Sequence, residues 1–88
     1  MTNPAAAFAH TADAAQRIAG VVAARARGDL DGVERLLASM DDHTQAAGGL
    51  FLADLAVNLL ARTENRATEQ VATELSLHIA SLAPQIGD

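Results

Sequence analysis

Apolar residues recur along this chain at spacings of three and four, which puts them on single faces of successive helices. Asn3-Pro4 reads as a helix start, with Asn as the cap and Pro where its missing N–H costs nothing. That helix is expected over about residues 4–27, ending at Gly28. At ~100° per residue Phe8, Ala12, Ala15, Ala19, Val22 and Ala26 fall in one narrow stripe, with Ile18 on its flank. Such a seam of small residues lets a neighbouring helix approach closely but buries few methylenes. Asp29 then caps a second helix, about 29–41, with Leu30, Val33, Leu37 and Met40 along one face.

Asp42-His43-Thr44-Gln45 has the form of a capping box and opens a third helix, about 42–62. Its polar stripe is Asp54, Asn58 and Arg62. Opposite lie Leu52, Leu55, Ala56, Leu59 and Leu60, flanked by Phe51, Ala53 and Val57. The apolar arc spans roughly 240°, against ~100° or slightly more for an ordinary surface helix, so this central helix should be covered on several sides.

Gly48 and Gly49 stand at the two edges of that arc. A glycine inside a helix costs about 1 kcal/mol relative to alanine. One reading is that another helix, such as the alanine seam of the first, crosses there too closely for a β-carbon. The other is that residues 43–49 are an irregular lead-in to a helix starting at Leu50.

The polar run Thr63–Thr68 contains neither Gly nor Pro, which leaves a continuous helix open. A break is expected near Asn65, which tolerates the left-handed conformation of a helix end. The last helix should cover about 66–83, with Val71, Leu75, His78, Ile79 and Leu82 on one stripe. Pro84 is expected to close it and Gln85–Asp88 to fray.

The pattern therefore describes an all-α protein: one helical domain over residues 1–88, a small four-helix bundle. Composition changes the picture in one respect. Aromatics make up 2%, Phe8 and Phe51 only, and much of the apolar content is alanine. Alanine favours helix but supplies little burial energy, so the bundle is expected to be completed by dimerisation. Leu50, Phe51 and Val57, with Gly48 and Gly49, are the candidate partner-facing edge.

The net charge is -5, which argues against general binding to phosphate backbones. The first helix is the exception: Arg17, Arg25 and Arg27 face Asp13 alone before residue 28. These arginines are the candidate basic contacts, and the plainer alternative is that they lie against acidic neighbours. Asp13 and Arg17 form an i, i+4 pair expected to be solvated. With no cysteine there are no disulfides or thiolate metal sites. No run of ~20 continuous apolar residues stands out as a membrane span, and a leucine-rich signal segment is missing, so no membrane association and a cytoplasmic location are expected.

Little in the chain carries chemistry. His78 is the one ionisable group placed within an apolar stripe, a possible pH-sensitive seam element; neutral, it could be satisfied by Glu74 one turn back. His10, His43 and His78 lie on different segments without metal-ligand spacing, and Asp41 and Asp42 read as caps. There is no G-x-S-x-G turn and no phosphate-binding glycine loop. No catalytic residue, metal or cofactor is expected.

Gly28, Asp29, Leu36 and Leu37 match a "G-D-x-x-x-x-x-x-L-L" pattern. In it the chain resembles small Ala-rich, lysine-free helical proteins of unknown function from high-GC actinobacteria and their phages, a resemblance that implies helical structure and no particular activity. The same stretch also resembles half of an ankyrin repeat, but nothing about 33 residues later repeats it. The function expected is a non-enzymatic protein–protein interaction module that self-associates. The alternative is a small regulator, phage-like, that binds a host protein or DNA through the basic first helix.

Overall fold

The computed structural model describes residues 3–86, with side chains as far as residue 82. Four helices follow in order: α1 (Pro4–Ala26), α2 (Leu30–Ala38), α3 (Asp42–Thr63) and α4 (Thr68–Ile86). Among the described residues there is no strand, so the protein is all-α. It forms two compact units, Met1–Asp54 and Leu55–Asp88, and α3 contributes to both.

Each helix end is fixed by its own backbone chemistry. The Asn3 side chain accepts from the Ala5 N–H at 3.0 Å, with Pro4 at the first helical position. At the other end of α1 Gly28 takes φ +76°, the Gly28 N–H donates to the Arg25 carbonyl and the Asp29 N–H to the Ala24 carbonyl. Those two bonds satisfy carbonyls that the helix end would otherwise leave open. Asp29 caps α2, its carboxylate accepting from the Gly32 N–H at 2.9 Å. The end of α3 repeats the device: Asn65 sits at φ 55°, and the Arg66 N–H reaches the Ala61 carbonyl at 2.8 Å. The expected break at Asn65 is there, although no glycine marks it.

Two junctions differ from expectation. The cap of α3 is Asp41, one residue earlier, whose carboxylate accepts from the Thr44 N–H at 2.8 Å. Gln45 closes no box. Its amide instead donates to the Leu37 and Met40 carbonyls at 3.0 and 3.1 Å, and this ties the end of α2 to the start of α3. Accordingly α2 stops at Ala38, three residues short of the expected end, because Ser39 and Gln45 take over its last carbonyls. At the C-terminus, α4 continues through Pro84 to Ile86. A proline removes one amide donor while its fixed φ remains helical, so the last turn continues past it. Gly87 and Asp88, part of the expected fray, lie outside the described residues.

In the first unit α3 starts as a helix at Asp42, with the glycine pair inside it. A Cβ on Gly48 would stand 2.8 Å from the Ala14 carbonyl carbon and 2.9 Å from its oxygen and Cβ. The close crossing is therefore present at Gly48, and against the alanines of α1. Gly49 has open space where its Cβ would be. The face that α1 buries is turned roughly a third of a turn from the expected stripe: Ala14, Ala15, Val21 and Ala24 are buried, while Phe8, Ala19, Val22 and Ala26 are exposed. Of the expected seam only Ala15 is buried. The smallest side chains, not the most apolar, face the crossing, because helix backbones this close leave no room for more. Gly20 plays the same part towards α2, where a Cβ would lie 3.2 Å from Leu36 Cδ1. Leu36, which was not among the expected face residues of α2, takes that contact, while Leu30 is exposed.

In the second unit the later part of α3 is joined to α4 by the Asn65 turn. Among its described residues Ala61 and Val71 are buried. Arg66 clamps the turn, donating both guanidinium nitrogens to the two Glu74 oxygens, one of them at 2.7 Å. Thr68 donates to the Asn58 amide oxygen at 2.8 Å.

Candidate interaction surface

The described core consists of Ala14, Ala15, Val21, Ala24, Met40, Ala61 and Val71, with no large side chain fully buried. Large apolar side chains stand outside it. Leu55 is 59% exposed and Leu59 63% on α3, and Leu77 and Ile79 are 66% and 65% exposed on α4. Among the described residues the expected wrapping of α3 is thus not supplied. By length and composition α3 is apolar enough to cross a membrane, with 11% of its apolar window buried, although no uninterrupted apolar run suggested it. Gln45, Asp54 and Asn58 interrupt that run, yet the average stays high because every other position through Leu60 is apolar or small.

The expected partner edge separates into inner and outer members. Gly48 is buried against Ala14. Phe51 is half-buried and meets the exposed Phe8 edge to face, with ring centroids 5.7 Å apart. Val57 is half-buried and Leu50 exposed, while Gly49 touches no neighbour that a Cβ would meet. His78 is exposed on α4. Glu74, offered above as its partner, is held by Arg66. That bidentate pairing keeps the Glu74 carboxyl below its ordinary range, and the Glu74 hydrogen bonds raise the Arg66 guanidinium above its own.

The arginines of α1 are largely matched within the first unit. Arg17 Nε lies 3.1 Å from Asp13, as the spacing suggests, and its Nη1 also donates to the Ser39 hydroxyl at 3.0 Å. Arg27 pairs with Asp29 at 3.4 Å. Arg25 is exposed in the last turn of α1, where a cation opposes the helix dipole. With Arg35 from α2, which the sequence did not single out, Arg17 and Arg27 line an open cleft of about 540 Å³ that also holds Asp29 and Ser39. The Asp29 carboxyl is lowered first by the Gly32 N–H and then by Arg27, and that of Asp41 by the Thr44 N–H. Both acids serve as caps. Among the described residues no three His, Asp or Glu side chains are grouped to hold a metal ion.

No family model, no curated protein and no solved structure matches this chain.

Proposed function

We propose that the protein is a non-enzymatic helical interaction module that self-associates as a homodimer. One observation carries the reading: Leu50, Leu55, Leu59, Leu77 and Ile79 are all exposed, while the buried residues are mostly alanine and valine. Burying one leucine-sized side chain contributes about 1.5–3 kcal/mol, so a chain that leaves this many in water has a strong drive to cover them. In proteins most helical stability comes from packing an apolar face and not from helix propensity, so the remaining stability has to come from packing.

The regulator reading, through Arg17, Arg25 and Arg27, has less behind it. Two of those three arginines are already matched by Asp13 and Asp29. Light scattering after gel filtration tests the proposal on the intact chain. The expected mass is that of two chains at micromolar concentration, falling towards one on dilution. A single-chain mass up to high micromolar concentration removes it.

A further inference from the structure

We infer that the cleft between α1 and α2 is a binding site for a phosphate group, held by the guanidinium groups of Arg17, Arg27 and Arg35. The site lies within the first unit and does not depend on self-association. Helical spacing builds it. Gly32, Arg35, Leu36 and Ser39 stand at i, i+3, i+4 and i+7, so they share one face of α2 and its cap. That face meets α1 where Leu36 lies over Gly20. Arg17 reaches the same cleft from α1, and Arg27 from its C-cap.

The charge of the cleft fits a dianion. Three arginines line it against one carboxylate, Asp29, which leaves two positive charges on a chain whose net charge is -5. Asp29 is engaged as the α2 cap through the Gly32 N–H, and its contact with Arg27 is 3.4 Å long. Arg35 has no hydrogen bond or ion pair among the described residues, and its charge acts on Asp29 at longer range. Arg17 is aimed by its neighbours: Asp13 holds its Nε at 3.1 Å, and the Ser39 hydroxyl accepts from its Nη1 at 3.0 Å. Exposed ion pairs of this kind contribute little, whereas phosphate oxygens offer guanidinium groups paired, charge-assisted N–H bonds. A single carboxylate would neutralise one of the two charges. A nucleic-acid backbone needs a broad basic surface, and outside this cleft the chain is acidic. The cleft, about 540 Å³ with Leu36 on its wall, also has room for the group that carries the phosphate.

NMR titration of the full, isotope-labelled chain tests this, with inorganic phosphate, a short blocked phosphoserine peptide and acetate as probes. Ionic strength is held constant at about pH 7.5, where a phosphate monoester is mostly dianionic. Saturable shifts are expected at the Arg17, Arg27 and Arg35 Nε–H signals and the Gly32 and Ser39 amides. Phosphate should half-saturate at roughly millimolar concentration, and acetate should bind at least about tenfold more weakly. R35Q should weaken phosphate binding by roughly tenfold or more, and R25Q, whose arginine stands outside the cleft, by less than about twofold. If R35Q loses its helical circular dichroism, R35K, which keeps the charge and loses the planar fork, should still weaken binding several-fold. Tighter binding of the phosphopeptide than of inorganic phosphate assigns the site to a phosphorylated protein segment, and equal binding assigns it to a free phosphate; both uphold the site. Acetate bound as tightly as phosphate overturns it, as do shifts that grow linearly with phosphate and move Arg25 and Arg62 equally. A short DNA duplex that moves the same signals at lower concentration than either phosphate probe overturns it too.

Discussion

Gly48 and Gly49 are adjacent in sequence and opposite in surroundings. At Gly48 an added methyl would meet the Ala14 backbone, which cannot rotate aside as a flexible side chain can. Gly48→Ala should therefore lose more to strain, about 1–3 kcal/mol, than the ~1 kcal/mol it gains in helix propensity. At Gly49 the methyl has room, and Gly49→Ala should stabilise by close to 1 kcal/mol. Urea unfolding of the two variants should give midpoints on opposite sides of the parent's. Equal shifts of the same sign would mean that the α1–α3 crossing is looser than it stands here.

Asp29 and Asp41 make a second prediction at this scale. Each carboxylate accepts a backbone N–H, and each pKa is lowered. A lowered folded-state pKa gives stability that is present above the unfolded value, about 3.9 for Asp, and is lost as pH falls through the folded one. The thermal midpoint should thus drop as pH falls below about 4. Asn caps without titrating, so the double variant D29N/D41N should flatten that acid limb. An unchanged limb in the variant would remove the caps as its cause.

The elements were legible to different degrees. Starts and stops written in local chemistry were readable: Asn3-Pro4, Gly28, Asp29 and Asn65 all lie at the helix ends that they predict. Asn65 allows a direct check. Its φ of 55° is strained for a residue with a β-carbon, and less so for asparagine than for most. Asn65→Gly should stabilise slightly, and Asn65→Ala should cost about 1 kcal/mol, read as thermal midpoints. The α2–α3 junction was misread by one residue. Asp41 and Asp42 are equally good caps in isolation, and what separates them is where Gln45 points. The expected Gln45 role was local, whereas its partners, Leu37 and Met40, lie on the element before. Gln45→Ala would leave two part-buried carbonyls without that donor and should loosen the end of α2, seen as faster amide exchange there and not at the end of α4.

For the whole molecule the decisive quantity is the mismatch between apolar side chains and the core available to them. If self-association supplies the missing cover, stability couples to protein concentration. The thermal midpoint should rise with chain concentration, and added salt should strengthen association by screening the net charge of -5. Recognition through Arg17, Arg25 and Arg27 would weaken with salt instead. A midpoint independent of concentration over two decades counts against a shared core.

By itself the sequence determined the helices: their period, their caps and the left-handed turns at Gly28 and Asn65, because these depend on residues within one turn of each other. It also determined that large apolar residues outnumber what an alanine-rich core can hide. Only the tertiary structure decided which face of α1 turns inward. Alanine on every side makes the faces of that helix nearly equal in hydrophobicity, and the choice falls to shape, where Ala14 fits against Gly48 and Leu36 fits over Gly20. The same holds for Leu55 and Leu59. Periodicity marks them as apolar, but whether a neighbour covers them depends on where the other helices end, and a hydrophobic pattern carries no record of that.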